Sequence, residues 1–173
     1  QLMSGVLNLI AASGGDSTAI FALTVGTGDV TSTGKSPTTW FMMGWSSITA
    51  SYTPAFTQAY PSNFSNSGTT TAPTFKGRQI LGLTSRDSSG STSNIANFYY
   101  LYLAGDGSGI TLNSITIGGT AITWSGVTAS YDTTYTWSPT QSGGVTRFII
   151  TPSSATTTLF GTTTGVQKTI VIT

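Results

Sequence analysis

The residues that build helices are nearly missing from this chain, and this constrains its fold more than any other feature. There is no Glu, and Lys and Arg together number six in 173 residues. Thr, Val and Ile are plentiful, with Ser and Gly between them. Straight-chain residues lose little freedom on a helix, whereas β-branched and aromatic ones fit the pleated surface of a sheet. The one short stretch with helical character, Gly5 to Ala12, is stopped by the turn Gly14-Gly15-Asp16-Ser17. Strand-like runs follow, separated by Gly, Ser, Asn and Pro: Ala19–Val25, Thr39–Trp45, Gln79–Thr84, Asn97–Ala104, Ile110–Ile117, Thr120–Trp124, Ala129–Trp137, Val145–Thr151 and Gln167–Thr173. That spacing predicts an all-β fold, a sandwich or barrel.

Several local signals sharpen the expectation. Ser114-Ile115-Thr116-Ile117 and Thr120-Ala121-Ile122-Thr123 alternate around Gly118-Gly119, the signature of a hairpin whose two-residue turn needs positive φ. Gly105-Asp106-Gly107-Ser108-Gly109 reads as a second turn. Phe98-Tyr99-Tyr100-Leu101-Tyr102-Leu103 is apolar at consecutive positions, so it is expected at the centre of a sheet covered on both faces. Ser51–Pro73, with its prolines and hydroxyls, and polar Ser85–Ser93 are expected as exposed loops, where binding function often sits.

A hydrophobic share of 38% with 11% aromatic residues is enough to bury a core, so the chain is not a disordered Ser/Thr tract. Its length suits one domain. We expect an antiparallel β-sandwich over residues 18–173, jelly-roll or Ig-like, preceded by an extended arm over residues 1–17. Val6, Leu7, Leu9 and Ile10 give that arm an apolar surface for docking on a partner. No apolar run approaches the ~20 residues that span a bilayer, so membrane insertion is not expected.

Charged residues make up 6% of the chain, against about a quarter in an ordinary protein, and the net charge is +1. Such a chain has no field to steer nucleic acid. Without His or Cys, and with only five acidic residues, it has few means of moving protons, binding a transition metal or forming a thiolate. The expectation is therefore no enzyme, no catalytic residue, no metal and no cofactor. Gly28 to Ser36 resembles a phosphate-binding loop, but five residues separate Gly28 from Gly34 where the motif has four, and Pro37 follows instead of a helix. Asp106 lies in Gly-rich sequence as a calcium ligand could, yet calcium wants six to eight oxygens and Asp-Gly turn chemistry accounts for the same residues. Asp132, between Tyr131 and Tyr135, reads as an edge or solvent-face residue.

The aromatic residues are expected mostly in the core and in cross-strand pairs. Tyr52, Phe56, Tyr60 and Phe64, spaced four apart in the loop-like segment, are the candidates for contact with a partner or a glycan, since aromatic rings beside hydroxyls commonly build carbohydrate sites.

Several segments, taken in order, resemble a known module. Phe21-Ala22-Leu23-Thr24-Val25-Gly26 is similar to the F-x-L-T-V-G strand that opens a small β module of tailed-bacteriophage virion structural proteins. Thr74-Phe75-Lys76-Gly77-Arg78-Gln79-Ile80 is similar to the T-F-x-G-x-x-I segment that follows in such modules. Phe98–Leu103 with Ala104-Gly105 resembles their next, Phe-led strand, and Ser114–Ala121 resembles their S-V-T-V-N-G-T hairpin with Gly118 in the Asn place. Tyr135-Thr136-Trp137 and Thr169-Ile170-Val171-Ile172 complete the order. The resemblance implies a structural part of the virion, a capsid decoration protein or a tail or fibre component; low charge and apolar strand faces suggest contact with copies of itself and other virion proteins, with a host-surface glycan as a further candidate partner. A carbohydrate-binding module, and a filament subunit completed by strand donation, are the alternatives.

Overall fold

The computed structural model describes residues 17–25, 27–29, 45–47, 64–65, 73–86, 95–133, 144–163 and 165–173. In chain order the strands are β1 (Ala19–Thr24), β2 (Thr27–Asp29), β3 (Trp45–Ser47), β4 (Phe64–Ser65), β5 (Thr74–Phe75), β6 (Arg78–Arg86), β7 (Ile95–Ala96), β8 (Phe98–Ala104), β9 (Ile115–Ile117), β10 (Thr120–Ala121), β11 (Trp124–Asp132), β12 (Val145–Pro152), β13 (Thr156–Thr157) and β14 (Gln167–Ile172). There is no α-helix among the described residues, so the chain is all-β over that part.

Two sheets carry the fold. A five-stranded sheet runs β10-β9-β14-β1-β4, and its neighbours are all antiparallel. A seven-stranded sheet runs β11-β12-β8-β6-β3-β2, with β5 folded back on β6. It is antiparallel except where β3 lies parallel to both β2 and β6. A small third sheet pairs β13 with β7. One hydrophobic cluster takes side chains from both large sheets. Phe21, Leu23, Ile115, Ile117, Ile170 and Ile172 come from the first, and Leu83, Leu101, Leu103, Phe148 and Ile150 from the second. β1 alternates as a half-covered strand should, with Phe21 buried and Ile20 64% exposed.

β8 meets the expectation of a central strand. It lies between β6 and β12, and every residue from Tyr99 to Ala104 is buried. Leu101 and Leu103 serve the apolar cluster. On the opposite face Tyr100 stacks on Tyr102, with its ring centroid 6.1 Å from that of Phe98 and 6.4 Å from that of Tyr102. The hairpin also forms as expected: Thr120 pairs with Ile117 across Gly118 and Gly119, whose φ values are 60° and 84°. A second primed turn at Lys76-Gly77, with φ of 49° and 78°, joins β5 to β6. A non-Gly residue costs roughly 1 kcal/mol there, and Lys76 Nζ donates to Thr111 O at 2.8 Å.

Four expectations need correction. Ile110–Ile117 is not one strand. Only Ile115–Ile117 is, because Ile110 N closes a turn on Gly107 O and Asn113 N and Ser114 N both bond to Thr173 O. Thr120–Trp124 is split: β10 ends at Ala121 in one sheet and Trp124 opens β11 in the other. β11 also starts before Ala129, since Ser125 and Gly126 form a bulge rather than a break. Finally, Ser85 and Arg86 continue β6 instead of beginning a loop, and Arg86 is 0% exposed with its guanidinium 5.4 Å from the Tyr100 ring centre. Residues 39–44 of one expected strand, and 134–137 of another, lie outside the described residues; Trp45, at the end of the first, opens β3.

Candidate functional site

Several of the described charged side chains are held in local structure. Arg147 lies against the Tyr100 ring, 5.3 Å from its centre, on the same stack as Arg86; such pairs gain from the negative face of the ring. Arg78 Nη1 donates to Ala104 O at 3.2 Å. Asp106 Oδ1 accepts from Ser108 Oγ at 2.6 Å and from Ser108 N at 3.0 Å, closing an Asx turn. These bonds from Ser108, side chain first and then backbone, and the nearby Arg78 charge hold the Asp106 carboxyl below its ordinary value. Asp106 therefore behaves as turn chemistry. Among the described residues, no three of His, Cys, Asp and Glu come together as a metal site would require.

Among the described residues, two surfaces stand out as able to bind something. The first is a cleft of about 340 Å³ where the β9–β10 hairpin approaches the end of β12 and β13. Thr123, Ser153, Ser154 and Thr156 give it an exposed hydroxyl rim, and Ile122 and buried Tyr99 an apolar floor. The chain builds it by crossing between sheets: Ile122 N bonds to Ile115 O and Ser153 N to Thr123 O, both at 2.9 Å. The floor is fixed from below. Tyr99 Oη accepts from Leu159 N at 2.9 Å, Ser85 Oγ and Thr158 Oγ1 lie 2.6 Å apart, and the Tyr99 and Phe160 rings are 6.2 Å apart. Burial pushes the Tyr99 hydroxyl above its ordinary value, with its hydrogen bonds to Leu159 and Thr158 pulling partly back. It is a neutral, immobilised hydroxyl. The cleft can accept neutral polar groups, and none of its rim residues is a base.

The second surface is β11. It ends the seven-stranded sheet, and among the described residues it pairs only with β12. None of its nine residues is buried, and Ser125, Gly126, Thr128, Ala129 and Ser130 are exposed. From Trp124 to Tyr131 it carries no charge and no proline. Its far end is tied down tightly. A Cβ on Gly144, whose φ is 73°, would overlap Asp132 O and come within 2.8 Å of Tyr131 Cε2, so the turn side of the β11–β12 junction admits only glycine.

The sequence-based candidates fall differently. Tyr52, Phe56 and Tyr60, and the arm residues Val6, Leu7, Leu9 and Ile10, lie outside the described residues, as do all of residues 1–16. Phe64 opens β4 and pairs with Leu23 at the edge of the five-stranded sheet, so this part of the expected loop is strand. Every aromatic side chain described is buried or half-buried, including Trp124 and Tyr131. Sequence reasoning missed both surfaces found here. The signal for β11 was present in the alternation Val127-Thr128-Ala129-Ser130-Tyr131. The cleft left no such trace, because its residues come from separate segments.

The chain matches no protein-family model, no curated protein and no solved structure. No helix among the described residues is long and apolar enough to cross a membrane.

Proposed function

We propose that the chain is a structural protein of a tailed-bacteriophage virion, a capsid decoration protein or a tail or fibre component. It works through contacts with copies of itself and with other virion proteins. Within this reading the two sheets form an antiparallel sandwich of jelly-roll or Ig-like type, with residues 1–17 as a docking arm. The observation that carries the reading is β11, an exposed nine-residue edge without charge before Asp132. A long strand at the end of a sheet is a common place for another chain to dock, and Lys or Pro along it usually discourages that. The order of short motifs shared with virion modules and the near-zero net charge point the same way. Mass spectrometry of particles purified from a lysate of the organism carrying the coding sequence tests it. The chain should co-purify at a fixed ratio to the shell or tail proteins; its absence from intact particles would overturn the proposal.

The hydroxyl-rimmed cleft favours a second reading, a carbohydrate-binding module. Neutral rim groups that donate and accept hydrogen bonds suit a sugar, although Tyr99 at its floor is too buried to stack. A glycan array separates the readings. Specific binding lost on Ser154→Ala with folding intact supports the second, and a blank array leaves the first. Both readings expect no turnover in screens against glycan, peptide and ester substrates.

A further inference from the structure

Hydroxyl groups in this fold are used in two ways. Several hold the fold together: Ser85 Oγ and Thr158 Oγ1 lie 2.6 Å apart, Ser114 Oγ and Thr173 Oγ1 lie 2.7 Å apart, and Thr146 Oγ1 bridges Gly105 O and Gly107 N. The rim of the cleft is different. Thr123, Ser153, Ser154 and Thr156 are exposed, and among the described residues none of their side-chain oxygens has a hydrogen-bond partner. The floor beside them has the opposite chemistry. Ala96 and Ile122 are buried and Leu159 is half-buried, none with a polar side-chain atom, and the Tyr99 hydroxyl is already engaged by Leu159 N. Of the residues lining the cleft, none is charged and none carries a carboxamide.

We infer that the cleft takes a neutral sugar carrying a methyl group, either N-acetylated or 6-deoxy, with the methyl on the floor and the sugar's polar groups at the rim. This ligand class rests on the carbohydrate-binding reading of the cleft and names what that reading leaves open. An acidic sugar or a phosphate would leave water without meeting a counter-charge, a cost that no lining residue can offset. Unengaged Ser and Thr hydroxyls both donate and accept, so they match sugar hydroxyls or an acetamide in either orientation. A plain hexose would set a hydroxyl over Ala96, Ile122 and Leu159 with nothing to bond, whereas a methyl group placed there gains from leaving water. Ring stacking does not supply the binding, because Tyr99 at the floor is 3% exposed. At about 340 Å³ the cleft is near the lower end of the roughly 300–1,000 Å³ that ligand pockets span, so it holds the end of a glycan rather than a long run of it.

Titration of the isotope-labelled full chain, followed through its backbone amide signals, tests this. The probes are free N-acetylglucosamine, N-acetylgalactosamine, L-fucose and L-rhamnose, against glucose, galactose and glucuronic acid. The signals of Ile122, Thr123, Ser153 and Ser154 should move and saturate. The N-acetyl or the 6-deoxy arm should bind at least about fourfold more tightly than glucose or galactose, the worth of one buried methyl group. Glucuronic acid should bind most weakly, and the tighter arm identifies the source of the methyl. Thr123→Val and Ser154→Ala, both at exposed positions, should weaken that binding roughly two- to tenfold, the worth of one hydrogen bond. The backbone bond from Ser153 N to Thr123 O does not depend on either side chain. Leu159→Thr sets a hydroxyl on the floor and should reduce the preference for a methyl to less than about twofold. If that variant fails to fold, the ratio in the unmodified chain decides. Plain hexoses bound as tightly as the methyl-bearing sugars would overturn the ligand class and leave the carbohydrate-binding reading standing. Binding that ignores both Thr123→Val and Ser154→Ala would move the site out of the cleft, with the same consequence. If no sugar moves any signal, the carbohydrate-binding reading falls as well.

Discussion

Strands β8 and β11 lie in one sheet with only β12 between them, yet their surroundings are opposite. β8 is buried from Tyr99 to Ala104, and β11 has no buried residue. Both contain aromatic and small residues. What differs is order: β8 puts large side chains at consecutive positions, which only a strand covered on both faces can use. β11 sets Val127 and Tyr131 among Ser, Thr, Gly and Ala, which suits a strand with one wet face. One sheet thus holds a buried centre at β8 and an exposed strand at β11.

The largest test of this contrast is Leu101→Ala. Leu101 is 0% exposed, pairs with Leu83 and Phe148, and its truncation should cost ~2–5 kcal/mol in denaturant unfolding. A loss below about 1 kcal/mol, as at a surface position, would remove β8 from the centre. Next comes the end of β8, where Thr146 Oγ1 donates to Gly105 O at 2.6 Å and accepts from Gly107 N at 2.7 Å. Thr146 is 0% exposed, so Thr146→Val keeps the shape and takes the partner from the buried Gly107 N and the half-buried Gly105 O. It should cost ~1–3 kcal/mol; no loss would mean that water reaches the turn.

How far the sequence revealed this contrast depends on where the deciding information lay. β8 was legible because its apolar run is local, and the Gly118-Gly119 hairpin because a two-residue primed turn dictates its own residues. β11 was only half legible. Ser125-Gly126 looked like a break, and only the partner strand β12 turns it into a bulge. Arg86 looked like the start of a polar loop, but its stem and guanidinium are buried over Tyr100, a contact between distant residues that no local pattern encodes. The parallel pairings of β3 and the gathering of Ile122, Ser153 and Tyr99 around one cleft are long-range in the same way.

A smaller effect than either core substitution is expected from pH. Burial raises the Tyr99 hydroxyl above its ordinary value of 10.0. The unfolded chain then releases its proton first, so the contribution of Tyr99 is constant below 10.0 and falls as pH rises from there toward the raised native value. Tyr99→Phe takes away the acceptor of Leu159 N, costs roughly 1 kcal/mol at neutral pH, and loses this alkaline decline. The gap between the two proteins should narrow above 10.0. Parallel curves would mean that the hydroxyl is solvated and that the cleft floor is open.

The smallest expected effect is at the rim. Thr128 is exposed on β11, with Ile149 as its only cross-strand partner among the described residues. Thr128→Ala removes a hydroxyl and a methyl group that gain little from burial. The change in β propensity is a fraction of a kcal/mol, and an exposed position carries no cavity. Unfolding should therefore shift by less than about 0.5 kcal/mol. A loss above about 1 kcal/mol in dilute solution would show that another part of the same chain covers β11. The contrast with β8 would then be one of degree, and the edge would not be available to a partner.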